Sequence, residues 1–166
     1  MKNVVLCGFM GCGKSTIGRI MAKRADLTFV DMDRYIEEKE GMTVSEIFEK
    51  FGEARFRELE TEACRELSEQ ENLVIASGGG TLTFQQNIDI LKSSGKIVFV
   101  DVSYENLCER LKRDTRRPLL QVENRNETIA RLLEERLPVY RRAASVIVNG
   151  NFNSGVVANN ILGILR

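Results

Sequence analysis

Gly8-Phe9-Met10-Gly11-Cys12-Gly13-Lys14-Ser15 is the stretch whose residue types and spacing carry the clearest chemistry, and it matches Gly-x4-Gly-Lys-Ser/Thr in full. An apolar run, Asn3 to Cys7, precedes it, and Ile17, Ile20 and Met21 follow at helical spacing. A strand entering a glycine loop that opens a helix is the context this pattern requires. Glycines at 8, 11 and 13 let the backbone close around phosphate oxygens. Successive N–H groups along Gly11, Cys12, Gly13, Lys14, Ser15 and Thr16 then form an anion nest at a helix N-terminus. Lys14 offers a point charge to β- and γ-phosphates, and the Ser15 hydroxyl is placed for Mg²⁺. GTPase signatures, Asn-Lys-x-Asp and Asp-x-x-Gly, are absent. The leading class is therefore a small kinase that uses a nucleoside triphosphate on a small molecule.

Two further groups belong with the loop. Asp31-Met32-Asp33 closes a second apolar run. As residues i and i+2 of a strand, the two carboxylates would leave the sheet edge on one side. Ligands bind at that edge in doubly wound sheets. Asp31 is placed to hold Mg²⁺ through a water and Asp33 to accept a proton from a substrate hydroxyl; the plainer alternative is that one of them caps the next helix. Gly78-Gly79-Gly80 follows a third apolar run, where it permits close backbone approach to a ligand or makes a simple turn. Asp114 to Asn126 is polar, contains Arg116-Arg117-Pro118, and reads as a mobile loop with arginines bordering the site or as an ordinary surface connection.

The elements that must position these groups follow from periodicity. Short apolar runs rich in Val, Ile and Leu recur at 3–7, 27–30, 73–76, 96–100 and 144–148, as strands buried on both faces do. Between them, helical spacing links Leu59, Ala63 and Leu67, then Leu107 and Leu111, then Ile129, Leu132, Leu133 and Leu137. Thr43-Val44-Ser45-Glu46 is a capping box that opens a short helix. Alternating strands and helices predict an α/β three-layer sandwich around a five-stranded parallel sheet. The 166 residues amount to one domain, spanning 1–166.

Composition removes other classes. The chain has no histidine, which excludes Ser-His-Asp and Cys-His nucleophiles and His-ligated zinc. Lys plus Arg and Asp plus Glu number 24 each, so nothing suggests nucleic acid as a partner. Cys7, Cys12, Cys64 and Cys108 show no Cys-x-x-Cys spacing and read as free thiols in a reducing cytoplasm. No apolar run approaches the roughly 20 residues of a membrane helix. A cytoplasmic monomer is expected.

Taken in order along the chain, the motifs resemble the shikimate kinase family. Gly8-x-Met10-Gly11-x-Gly13-Lys14-Ser15-Thr16-x-Gly18-Arg19 is similar to its phosphate loop. Asp31-x-Asp33, Phe51-Gly52-Glu53-x-x-Phe56-Arg57-x-x-Glu60, Gly78-Gly79-Gly80, Arg117-Pro118-Leu119-Leu120 and Arg136-x-Pro138-x-Tyr140 follow in family order. The resemblance implies a P-loop kinase fold of nucleoside monophosphate kinase type. It implies Mg²⁺-dependent transfer of the γ-phosphoryl group of ATP to the 3-hydroxyl of shikimate, in aromatic amino-acid biosynthesis. Substrate-binding helices would span about 32–61 and a mobile lid about 112–126. Asp33 would bind ring hydroxyls, while Arg57 and Arg136 would clamp the carboxylate. Gly78, Gly79 and Gly80 would contact the substrate through backbone, Phe48 and Phe56 would wall the ring, and Glu60 would orient Arg57. Lys14 and Arg117 would neutralise the phosphates, and Arg110 would lie near adenine. One segment departs from the family pattern. Asn149-Gly150-Asn151-Phe152-Asn153-Ser154 lacks the usual basic or proline-containing stretch, so adenine would rest on Phe152 or on backbone. Gluconate kinase, a kinase of similar build, and a nucleotide-binding module without turnover are the alternatives.

Overall fold

Asn3–Cys7 forms the central strand β1, and all five of its residues are buried. Neighbouring side chains on a strand face opposite ways, so helices must cover both faces of the sheet. The same holds for β3, Leu73–Ala76. A computed structural model describes residues 2–112, 114 and 120–165. The other strands among them are β2 (Thr28–Asp31), β4 (Gly95–Asp101) and β5 (Val146–Asn149). All pairings are parallel, in the order β2-β3-β1-β4-β5, with Val4 opposite both Val74 and Lys96. Each parallel step needs a crossover, which the helices supply. These are α1 (Lys14–Ala25), α2 (Met32–Glu40), α3 (Val44–Ser68), α4 (Gln85–Ser94), α5 (Tyr104–Leu111), α6 (Arg125–Ala143) and α7 (Ser154–Ile164). The five strands lie within two residues of the expected runs. Helices α4 and α7 add to the elements expected.

Buried side chains from β1, β3, β4 and β5 and from all seven helices join one apolar cluster that includes Leu6, Ile75, Ile97, Phe99, Ile17, Leu67, Leu107 and Ile161, and the half-buried Phe29 and Val30 of the edge strand β2 pack against it. The expected faces Leu59, Ala63, Leu67 and Leu107, Leu111 are all inside it.

The capping box at Thr43 forms in full: Glu46 N–H donates to Thr43 Oγ1 at 3.1 Å, and Thr43 N–H donates to Glu46 Oε1 at 3.3 Å. The helix it opens is interrupted at Gly52, whose φ of 82° and ψ of 171° are not helical. A side chain there would meet no other atom within 4 Å, so glycine is needed for the backbone angle alone. The bend divides α3 into two limbs and brings the Phe48 and Phe56 rings to 4.9 Å between centroids.

One local expectation is corrected. Asp31 ends β2, but Met32 already begins α2, so Asp33 stands in the first helical turn rather than on the strand. Asp31 is the N-cap, and its Oδ1 accepts the Arg34 N–H at 3.2 Å. An acidic residue in a first turn is favoured by the helix dipole, which explains why a helix starts inside the Asp-x-Asp motif.

Candidate active site

The C-terminal ends of β1, β2 and β3 and the first turn of α1 open into a cleft of about 820 Å³. Gly11, Gly13, Lys14, Ser15 and Thr16 line it from one side, and Asp31, Asp33, Gly78, Gly79 and Arg136 from the other. The loop wraps because Gly11 and Gly13 take φ values of 83° and 94°, a left-handed region that other residues enter only with strain. Lys14 Nζ donates to the Gly8 carbonyl at 2.8 Å and so lies folded over the loop. Cys12 turns the other way. It is buried, its N–H donates to the Phe9 carbonyl at 3.0 Å, and it does not line the cleft. Arg110 of α5 lines the cleft and bridges the carbonyls of Gly11 and Cys12, each at 3.3 Å, to that of Gly150 at 2.9 Å. The phosphate loop is thereby tied to the segment after β5. Phe152, in that segment, is exposed and does not line the cleft.

Across the cleft, Ser15 Oγ lies 3.5 Å from Asp31 Oδ2. A hydroxyl and a carboxylate oxygen side by side are hard donors of the kind Mg²⁺ takes, in a site that provides one or two protein ligands. No cluster of three or more His, Cys, Asp or Glu suited to a metal occurs among the described residues. Asp33 is half-buried, and this burial pushes its carboxyl up to about 6; Asp31, Glu60 and Glu37 add to the rise and Lys14 opposes it. A carboxylate with that value is ionised at neutral pH yet basic enough to take a proton.

The glycine triplet has a steric reason. A side chain on Gly78 would come within 2.8 Å of Asp33 Oδ1 and 3.2 Å of Glu60 Oε2, and one on Gly80 within 2.5 Å of an Arg57 guanidinium nitrogen. The segment is therefore pressed between acid and arginine, beyond what a simple turn needs. Arg136 donates to the Gly79 carbonyl at 2.7 Å, so two arginines flank adjacent residues of the triplet. Arg57 itself stands at the edge. It lines a separate cavity of about 400 Å³ with Thr61, Arg65 and Phe84. Its guanidinium donates to Glu60 Oε1 at 2.6 Å and to Glu53 Oε1 at 3.3 Å, with the Phe56 and Phe84 rings at 5.6 and 5.7 Å. Its Nε is buried without a hydrogen-bond partner. Phe48, Phe56, Glu60 and Gly80 are not part of the cleft lining: Glu60 and Gly80 lie against Arg57, the Phe56 ring is beside its guanidinium, and Phe48 is exposed next to Phe56. Arg117 lies outside the described residues.

Sequence reasoning assigned no part to Thr81, Asn87 or Arg125. The guanidinium of Arg125 donates to the carbonyls of Leu111, Asp114 and Leu120 at 2.6, 2.9 and 3.1 Å, which pins both ends of the segment between α5 and α6. Tyr140, quoted above only as part of a motif, lines the cleft one turn beyond Arg136, with its phenol pushed up to about 12 by burial. The only signal for Tyr140 was its i, i+4 spacing from Arg136.

Residues 10–166 match the sequence model described as shikimate kinase. A shikimate kinase of Thermodesulfovibrio yellowstonii is 44% identical over 162 residues, which cover 98% of this chain and 94% of the relative. The structure of shikimate kinase from Acinetobacter baumannii in complex with shikimate aligns with a TM-score of 0.88 at 40% identity, covering 99% of this chain and 93% of that one. A gluconokinase from Sinorhizobium meliloti reaches a TM-score of 0.60 at 18% identity, over 98% of this chain and 90% of that one, a likeness of fold alone.

Proposed function

We propose roles for the cleft residues from one premise: the chain belongs to the shikimate kinase family and is an ATP-dependent kinase that phosphorylates shikimate. On this reading ATP lays its phosphates along Gly11, Cys12, Gly13, Lys14, Ser15 and Thr16, and shikimate occupies the space toward Asp33 and the glycine triplet. Mg²⁺ would be held by Ser15 directly and by Asp31 through water, where it would neutralise phosphate charge. Arg110 would border adenine, and Arg117 would reach the phosphates from a lid spanning about 112–126. The whole chain would act as one kinase domain with substrate-binding helices at about 32–61.

Transfer of the γ-phosphoryl group is a matter of positioning and charge neutralisation, because its transition state is loose. Lys14 supplies positive charge at the phosphate end. Asp33 orients the 3-hydroxyl and takes its proton as the new O–P bond forms. Arg57 and Arg136 hold the substrate carboxylate, for which an arginine fork offers paired donors. The two carboxylates already on Arg57 differ sharply in exposure: Glu60 is 1% exposed and Glu53 is 68%. Substrate would therefore displace Glu53 and leave Glu60 in place as the orienting partner. Gly78, Gly79 and Gly80 present backbone to the ring, and Phe48 and Phe56 close its apolar side.

The observation that supports this reading best is the meeting of the phosphate loop with Asp33 and Arg136 in one cleft. ADP release measured with shikimate, gluconate or no acceptor tests it. Release confined to shikimate is expected, and equal release with gluconate or without acceptor overturns it. Balanced charge supports a monomer that acts without nucleic acid. No helix among the described residues is long and apolar enough to cross a membrane. Four free cysteines, three of them buried, suit a reducing cytoplasm.

A further inference from the structure

Among the described residues, five polar or charged residues are buried: Asn3, Glu60, Ser77, Thr81 and Asn87. Three of the five form one connected chain beneath Arg57. Thr81 Oγ1 donates to Glu60 Oε2 at 2.6 Å, and the other oxygen of the same carboxylate, Oε1, accepts from Arg57 at 2.6 Å. Asn87 Nδ2 donates to the Thr81 carbonyl at 3.0 Å, and Asn87 Oδ1 accepts from Thr61 Oγ1 at 2.8 Å. Thr61 Oγ1 also lies 3.2 Å from the Arg57 carbonyl, a second acceptor within reach of its one proton, so the chain leaves Arg57 by its side chain and comes back to its backbone.

A buried carboxylate oxygen without a donor is costly, and one donor left to it fixes the rotation of the whole group. The Thr81 hydroxyl has a single proton. Its two acceptors are Glu60 Oε2 and the Met32 sulfur at 3.6 Å, and the closer, charged oxygen is much the stronger. The Glu60 carboxylate can thus present Oε1 to Arg57 in one orientation only. Gly78 is packed against the same junction, since a side chain there would sit 3.0 Å from Thr81 Oγ1 and 2.8 Å from Asp33 Oδ1. The hydroxyl of Thr81 therefore stands where the arginine on α3 and the acid on α2 are brought into register.

We propose that Thr81 is a positioning residue for the acceptor acid: through Glu60 it fixes the direction in which Arg57 presents its guanidinium to the shikimate carboxylate. This rests on Arg57 acting as a carboxylate clamp. Thr81→Val keeps the side-chain shape and removes the donor, while Thr81→Ser keeps the donor. The test compares both with the parent and with Arg57→Ala, by steady-state kinetics and thermal melting. Thr81→Val is expected to raise the KM for shikimate about tenfold, the scale of one lost hydrogen bond to a charged group. Its KM for ATP should stay at the parent value, and Thr81→Ser should restore the KM for shikimate. A parental KM for shikimate in Thr81→Val, alongside a raised one in Arg57→Ala, overturns the proposal and leaves the clamp standing. Equal rises in both KM values with a lowered Tm also overturn it, since that is the signature of general loosening. A parental KM in Arg57→Ala removes the clamp and the role of Thr81 with it.

Discussion

The two ends of the cleft are built from different materials. The phosphate end is mostly backbone: a loop shaped by left-handed glycines at 11 and 13, carbonyls held by Arg110, and the first turn of α1. The acceptor end is mostly side chains that hold one another: Arg57 on Glu60, Glu60 on Thr81, Arg136 on Gly79. Backbone presents the same dipoles whatever the side chains, so the first end suits a phosphate common to many enzymes. Side-chain networks can be matched to one molecule, so the second end is where selectivity for an acid with several hydroxyls is set. Changes at one end should therefore leave the other end's ligand untouched.

The largest break should come from Asp33→Asn, which keeps shape and removes the base. We expect kcat to fall by about 10²–10⁴, the usual weight of a general base, with ATP binding retained in a titration. Near-parental turnover would move proton transfer elsewhere. Arg136→Ala should come next, with a shikimate KM raised about 10–100-fold, the worth of one or two charge-assisted hydrogen bonds, and an unchanged KM for ATP. Gly11→Ala tests the opposite end. The substitution places a side chain at a left-handed φ and within 2.9 Å of Leu111, so the KM for ATP should rise while that for shikimate holds. Parallel changes in both constants would erase the distinction between the ends.

The smallest effect is one of stability. Burial lifts Asp33 from 3.8 to about 6, so the folded protein binds its proton more tightly than the unfolded chain does. Ionised Asp33 therefore weakens the fold above about pH 6, and the penalty fades as pH falls toward 4, below which both states are protonated. Asp33→Asn should be more stable than the parent at pH 7.5, by about 1 kcal/mol once the shift is discounted for the solvent that reaches the cleft, and the two should be equally stable at pH 4. The same titration predicts that kcat/KM falls as pH drops through about 6, on a limb that Asp33→Asn lacks. With no histidine in the chain, no other side chain ordinarily titrates there.

The same contrast explains what could be read from sequence. The phosphate end is contiguous, so one string with its flanking strand and helix was enough. The strands were legible because both of their faces are buried, which leaves unbroken apolar runs. Asp31 and Asp33 were legible as a pair, but their geometry was not: strand alternation assumes the strand continues to Asp33, and capping by Asp31 ended it two residues sooner. Thr81 and Asn87 gave no local signal, because the side chains they bond, Glu60 and Thr61, lie 21 and 26 positions away. Arg57, Arg136 and Glu60 acquired roles only through the family resemblance; by spacing alone they were helix residues among acidic neighbours. Helix α7 was hidden by a sequence rich in Asn and Gly, poor helix formers that packing overrides. Helix α4 was hidden by having little more than Ile88 and Leu91 to mark its inner face.

The place of β1 in the sheet also has a consequence in time. The central strand precedes both of its partners in the chain, and the residues it pairs with are 74–76 and 95–99. Until about seventy further residues have been made, several seconds or more at roughly 5–20 residues per second, Val4, Val5 and Leu6 have no strand beside them. The segment that shapes the phosphate loop thus leaves the ribosome well before the strands that enclose it. During that interval it is open to aggregation and to capture by chaperones.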